Sequence, residues 1–179
     1  MKKNWIAAAC LLGLLSWSQT SKAEDLFFVG LEAPLSYAFK AADDGGKFTQ
    51  AKTPSGGILT VNFPVLGAFA LESYEVALKN QGSHSITYQM LDYIYFLSLP
   101  FLDIGVGVGA GNAAVKGTYE SSYESATATQ YLLKLGIPLG VFKILGGYQV
   151  LSATPKYTAG GTYLQASGTL TTVGVALAF

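Results

Sequence analysis

The chain has 179 residues, and its 11 cationic and 11 acidic side chains give a formal net charge of zero. All 11 cations are lysines, so the arginine forks that grip phosphate through paired hydrogen bonds are missing, and no basic patch is present. These features argue against nucleic acid as a partner. Charged residues make up only 12% of the sequence, against about 25% in a typical soluble domain. The shortage indicates that much of the surface does not face water.

The first 23 residues have the pattern of a cleaved secretory signal peptide. Lys2 and Lys3 give it a basic start, and residues 6–15 form an apolar run about half as long as the roughly 20 residues of a membrane-spanning helix. Residues 21–23 then offer a small-x-small cleavage pattern. Residues 24–179 are predicted to form one domain. That domain has eight lysines, eleven acids and no cysteine, so its formal charge is −3 and it forms no disulfide.

The domain alternates repeatedly between apolar and small or polar residues with a period of two, which is typical of β-strands. It contains no uninterrupted run of 18 apolar residues, so helical membrane spans are excluded. In chain order, strands are predicted near residues 27–40, 57–63, 68–79, 85–98, 102–111, 130–137, 142–150 and 169–179. In the fourth segment both faces carry bulky side chains. The pattern therefore leaves the register of strands two to four open.

The connections between these strands are of two kinds. The segments 62–67, 98–103 and 136–141 each contain a proline and look like one tight turn used three times. Proline fits a turn because it lacks a ladder donor and belongs where pairing stops. The other connections are longer and polar. Short turns at one end and long polar loops at the other, over an even number of strands, are typical of an outer-membrane barrel.

The whole pattern resembles the small eight-stranded outer-membrane β-barrels of Gram-negative bacteria, and it is similar to the OmpA transmembrane domain and the OmpX and OmpW families. The resemblance covers essentially all of residues 24–179 and rests on the hairpin rhythm, the turn asymmetry and the terminal aromatic residue. It implies an all-β fold, an eight-stranded antiparallel up-and-down transmembrane β-barrel. It also implies a place in the bacterial outer membrane among lipid and lipopolysaccharide, with periplasmic termini and extracellular loops.

The last strand carries a further implication of this resemblance. Its alternate residues are apolar and its final residue is aromatic: Val173, Val175, Leu177 and Phe179. In the resembled group, a closing strand of this kind is the signal that the barrel-assembly machinery reads. The resemblance therefore implies that machinery as a partner.

In such a barrel the bulky apolar face is expected to point outward and the glycine and alanine face inward, because eight strands leave a narrow bore. A soluble lipocalin-type barrel would have the reverse polarity, but the small residues here are too bare to coat a soluble protein. The inward face also carries a set of charged residues, which we expect to form a lumen charge network: Glu32, Glu72, Asp92, Lys134 and Lys143. The network is interpreted as a plug of internal salt bridges. A gate or a narrow polar conduit is the alternative interpretation.

Aromatic residues on the outward parity are sorted by barrel end. Phenylalanines lie toward the short turns and tyrosines toward the loops, as expected of rings at two membrane interfaces. The first group is Phe27, Phe63, Phe69, Phe142 and Phe179, and the second is Tyr37, Tyr131, Tyr148 and Tyr163.

Signals for catalysis or metal binding are weak. His84 is the only histidine, and Ser83 and Ser85 flank it, but adjacency along a loop is not the geometry of a nucleophile and its base. Residues 41–46 lack the alternating oxygen ligands of a calcium loop. We therefore expect no enzyme, no cofactor and no metal site.

The expected role is structural or surface-exposed and non-catalytic. A passive narrow channel for small or apolar solutes is the first alternative, and a lipid-modifying barrel enzyme is the second. The polar loops 41–55 and 112–129 are candidate binding sites for surface ligands.

Overall fold

A computed structural model describes residues 27–40, 53–77, 84–117, 120–160 and 163–179. The predicted signal peptide lies outside the described residues. The eight strands are β1 (Phe28–Phe39), β2 (Ser55–Phe63), β3 (Gly67–Ala77), β4 (Ser85–Leu99), β5 (Leu102–Lys116), β6 (Ala126–Leu139), β7 (Phe142–Ala153) and β8 (Gly168–Ala178). A 3-10 helix, Glu120–Ser122, lies between β5 and β6. Over these ranges, no helix is long and apolar enough to pass through a membrane.

The eight strands form a closed antiparallel barrel. Each strand pairs with the next one along the chain, and β8 returns to pair with β1 over almost its whole length. Closure gives every strand a neighbour on both sides, which removes the long exposed edges of an open sheet. The pairing between β1 and β2 is short and covers Phe28–Glu32 of β1. The predicted all-β, eight-stranded, antiparallel up-and-down barrel is confirmed.

The register that the sequence left open is defined by the pairing of three leucines. Leu59 of β2 pairs with Leu71 of β3, and Leu71 pairs in turn with Leu91 of β4. All three side chains are exposed on the outer face. Met90 and Asp92, which flank Leu91 in β4, therefore point into the lumen, where both are buried.

The predicted outward position of Tyr37 is wrong. The register between β1 and β8 shifts between Pro34 and Ser36, where a bulge inserts one extra residue. Leu35 and Ser36 both lie outside, and the alternation then resumes with opposite parity. Tyr37 consequently points into the lumen and is buried. Proline at the irregularity is consistent with its missing ladder donor.

The three short turns share one end of the barrel, as predicted, but they are not one repeated turn. Three residues separate β2 from β3, whereas two separate β4 from β5 and β6 from β7. Pro64 and Pro100 lie in the turns, but Pro138 is still inside β6 and pairs with Lys143. The turn residue with a positive φ angle is Val65 in the first turn and Gly140 in the third.

The lumen contains two apolar regions with polar side chains between them. At the short-turn end, Phe28, Leu145 and Phe96 pack together, next to a cluster around Ile94 and Leu132. At the loop end, a larger apolar cluster surrounds three tyrosines, Tyr37, Tyr74 and Tyr88. These three are named the tyrosine layer below.

Val65 is a testable weak point of the first turn. It is a β-branched residue at φ 68° with a 92% exposed side chain, so it has backbone strain and little burial to compensate it. Because asparagine tolerates this region, Val65→Asn is expected to stabilise the folded barrel by about 1 kcal/mol. Urea unfolding of barrel refolded in detergent micelles, followed by gel mobility, measures the change. Val141→Asn, in the third turn where Gly140 takes the positive φ, is the control and should show no gain.

Candidate functional site in the barrel lumen

The charged residues predicted to enter the lumen are all buried in it. Lys134 and Lys143 are each 1% exposed, and the three carboxylates are exposed by 4% or less: Glu32, Glu72 and Asp92. Burial of a charge is costly unless the group is paired and hydrogen-bonded. The partners of each group therefore decide what the lumen can do.

Glu32 and Lys134 form a fully compensated pair near the middle of the barrel. The Lys134 ammonium donates to both Glu32 oxygens, with Nζ–Oε distances of 2.7 and 2.8 Å. The hydroxyls of Thr172 and Thr60 donate to the same carboxylate at 2.7 and 3.3 Å. Gly147 makes room for this arrangement, since a Cβ there would lie 2.4 Å from Thr172 Oγ1 and 3.1 Å from Lys134 Cδ.

Glu72 and Asp92 lie together and receive amide donors. The Gln130 amide nitrogen is 2.7 Å from Asp92 Oδ1 and 3.2 Å from Glu72 Oε2, so it bridges the two carboxylates. The Gln149 amide donates to the other Glu72 oxygen at 2.7 Å. Asp92 and Gln130 both flank Gly109 in the sheet register, and a Cβ at residue 109 would lie 1.8 Å from Asp92 Oδ1. We name Glu72, Asp92, Gln130 and Gln149 the carboxylate–amide cluster.

Lys143 does not join this group. It donates to Asp103 Oδ2 at 2.8 Å near the short turns, and its ammonium lies 5.1 Å from the centroid of the Phe28 ring. Aromatic faces attract cations at such distances. The predicted five-residue network is thus divided into a central group and a separate ion pair at the short-turn end.

Several residues of these groups were not selected from the sequence: Thr60, Asp103, Gln130 and Thr172. Asp103 and Gln130 stand on the inward parity of clearly alternating strands, so parity combined with polarity was an available signal. Thr172 has the same signal on β8, whereas Thr60 lies on β2, where the register was left open.

Toward the loop end of the lumen, the tyrosine layer is hydrogen-bonded to a loop segment. Tyr37 and Tyr88 both donate to the carbonyl oxygen of Ala166, at 2.7 and 2.6 Å, and the rings of Tyr74 and Tyr88 stack at 5.0 Å. Residues 163–167, here named the mouth segment, are held back onto β7 by a bond from the Ala166 amide to the Ala153 carbonyl. Leu164 and Ala166 are buried against the tyrosine layer.

Of the three residues considered for catalysis, the structure describes His84 and Ser85. His84 immediately precedes β4, and Ser85 is buried as its first residue. Ser83 and residues 41–46 lie outside the described residues. Within the described ranges, no group of three or more histidine, cysteine, aspartate or glutamate side chains has metal-binding geometry.

The chain was compared with known proteins. No protein-family model matches it, and no curated protein matches its sequence. The crystal structure of Neisserial surface protein A is similar to it, with a TM-score of 0.60 and 14% sequence identity. The match covers 86% of this chain and 97% of the other. At this identity the likeness concerns the fold, and the two barrels share the same overall architecture.

The central ion pair yields a stability prediction. Lys134→Met leaves Glu32 buried without its cation, which is expected to cost about 3–5 kcal/mol of unfolding free energy. Lys116→Met removes the exposed partner of Glu120 and should cost at most about 1 kcal/mol. Urea titration of the refolded barrels measures both. Equal costs for the two variants would show that the buried pair contributes no more than a surface pair.

Proposed function

We propose that the chain is an integral outer-membrane barrel with a non-catalytic, structural or surface-exposed role, and that its lumen does not conduct. The observation that carries this proposal is the reversed polarity of the wall. Six of the eight charged residues in the strands face the lumen, and the other two, Glu75 and Lys116, lie at or near the loop ends of β3 and β5. A water-soluble barrel would have the opposite arrangement.

The outer surface between the two ends supports a hydrocarbon environment. It presents a band of exposed leucine, valine and isoleucine side chains from all eight strands, among them Leu31, Leu59, Leu71, Leu91, Val106, Leu133, Ile144 and Val175. Exposed apolar areas of this extent are rare on soluble monomers. A closed barrel also satisfies its backbone groups internally, which a bilayer demands.

Aromatic rings mark the short-turn end of this band. Phe179, Phe27, Phe63, Phe69 and Tyr93 follow one another around the barrel with centroid separations of 5.6 to 6.4 Å. Toward the loop end, Tyr131, Tyr148 and Tyr163 are exposed. Two aromatic girdles that flank an apolar band fit the two interfaces of a membrane.

The closed lumen favours a structural role over a channel. The polar side chains at its centre are bonded to one another, and apolar clusters pack on either side of them. The bore of an eight-stranded barrel is only wide enough for such side chains. The mouth segment adds a further layer across the loop end.

The outward positions of Val173, Val175, Leu177 and Phe179 support the proposal that the barrel-assembly machinery reads the last strand. Val173, Val175 and Leu177 are exposed on the outer face of β8, and Phe179, which follows the strand, is 69% exposed. We further propose that the short-turn end with both termini faces the periplasm. The loops would then face the cell exterior, where lipopolysaccharide and surface ligands are the candidate partners.

The membrane assignment predicts how the wall responds to charge. Val106 is 57% exposed in the apolar part of β5, so Val106→Lys is expected to cost about 2–4 kcal/mol if the site lies near the bilayer midplane. Asn112→Lys, on the same face of the same strand but closer to the loops, should cost about 0–1 kcal/mol. Urea unfolding in lipid vesicles measures the difference. Equal costs, or a barrel that stays folded and soluble without detergent, would overturn the assignment.

The closed lumen predicts electrical silence. Purified barrel refolded into planar lipid bilayers is expected to give no current steps above those of empty bilayers, while a general porin in the same set-up conducts. Reproducible steps of constant size from the wild-type barrel would instead favour the narrow channel.

A further inference from the structure

The barrel wall is only partly paired between β1 and β2. Their ladder ends at Glu32 and Ile58, yet β1 continues along β8 to Phe39, and β2 continues along β3 to Ser55. Residues 33–36 and 55–57 thus belong to neighbouring strands but do not pair with each other. Pro34 lacks a donor, a bulge follows it, and Gly56 lies at φ 137°, so both segments depart from regular ladder geometry. We name this gap the seam.

A trough on the outer wall begins where this pairing stops. It has a volume of about 660 Å³ and crosses five neighbouring strands, from β1 to β5. Four inter-strand spacings of about 4.8 Å give it a length of about 19 Å, and two residues of strand rise give it a width of about 7 Å. Its volume is typical of small-molecule sites, which measure about 300–1,000 Å³. These proportions suit an extended chain better than a compact molecule.

The two long sides of the trough differ in chemistry. The side toward the short turns is a row of exposed leucines that pair across the strands: Leu31, Leu59, Leu71 and Leu91. The side toward the loops is the next outward row, Gly57, Ser73 and Gln89, which also pair across the strands. Ser73 and Gln89 are exposed, and neither side chain forms a hydrogen bond with another described residue. The trough therefore has one apolar side and one side with available donors.

This polarity matches that of a membrane lipid. A hydrocarbon chain can pack along the leucine row, whereas a hydroxyl and an amide that face hydrocarbon without partners are costly. The carbonyl oxygen of the ester or amide that joins an acyl chain to its headgroup accepts the bonds that these groups donate. We propose that the trough binds one lipid through an acyl chain, with Ser73 and Gln89 donating to the carbonyl of its linkage. The headgroup then lies toward the loops.

The identity of the lipid rests on the proposed function. With the loops outside the cell, the leaflet at the loop end is the outer one, where lipopolysaccharide is the lipid. Its acyl chains are attached through amide and ester carbonyls, the acceptor chemistry that Ser73 and Gln89 suit. The occupant of the trough is therefore an acyl chain of lipopolysaccharide. A phospholipid or a second copy of the barrel on the same surface is distinguished from it by the test.

Gly57 allows the trough to be filled without disturbing the fold. A Cβ at this residue would meet the Glu32 backbone oxygen at 3.8 Å, which is ordinary contact, and the φ angle is not positive. Gly146 is the matched control, because it faces outward on β7 away from the trough, and a Cβ there would lie 4.0 Å from the Thr172 backbone oxygen. Barrels refolded in detergent micelles are mixed with purified lipopolysaccharide and measured by native mass spectrometry. Wild type and Gly146→Phe are expected to retain one lipopolysaccharide per chain, and Gly57→Phe to retain none.

A second pair of variants tests the polar side of the trough. Ser73→Ala and Gln89→Met each remove a donor and keep the leucine row, so each is expected to weaken lipopolysaccharide binding about 2- to 10-fold in a titration. Ser152→Ala, an exposed serine of β7 outside the trough, should bind as the wild type does. Heat-modifiable gel mobility confirms that every variant is folded before it is compared.

Several outcomes would overturn the lipid site. They are a wild-type barrel that retains no lipopolysaccharide, equal retention by Gly57→Phe and wild type, equal retention of a phospholipid offered at the same ratio, and a dimer that forms without lipid. A barrel that stays folded and soluble without detergent would instead refute the membrane role itself. A membrane-inserted barrel that retains no lipopolysaccharide would refute this site and leave the membrane role intact.

Discussion

The pairing of β8 with β1 is the constraint on which the rest of the structure depends. Closure leaves each strand with two neighbours and fixes an inside and an outside for every residue. With eight strands, the inside is only wide enough for side chains to cross. Each inward position must therefore be small or must fit beside a small one. β5 shows how this requirement is met, because its inward glycines at positions 105, 107 and 109 receive side chains from β4 and β6.

That arrangement explains why polar groups are tolerated in so narrow a space. Gly109 accommodates Asp92, and Gly147 accommodates Lys134, so long side chains reach partners on distant strands. Lys134 on β6 meets Glu32 on β1, and Gln149 on β7 meets Glu72 on β3. These contacts connect strands that share no backbone hydrogen bonds. Buried ion pairs are weak sources of stability, but breaking them is costly, and they consequently penalise other staggers of the same strands.

Much of the fold could be predicted from the sequence because a two-residue period reports directly on a closed wall. The alternation in β5 and β8 indicated both the strands and their faces, and all five charged residues were correctly assigned to the inward parity. Tyr37 was misassigned because a single bulge at Pro34–Ser36 reverses parity, and no alternation count detects an inserted residue. The partners of each charge could not be predicted, since they depend on strand stagger. Lys143 meets Asp103 on that account and lies apart from the central groups.

The loop end differs in kind from the short-turn end. Short turns leave little room for variation, whereas residues 120–125 and 154–160 meet through a Tyr123–Tyr157 bridge and a hydrogen bond from the Thr158 amide to the Ser122 carbonyl. The mouth segment continues from this structure into the tyrosine layer. The exposed loops are thus attached to the lumen through Ala166, which accepts from Tyr37 and Tyr88. These two hydrogen bonds therefore couple the position of the mouth segment to the packing of the tyrosine layer inside the barrel.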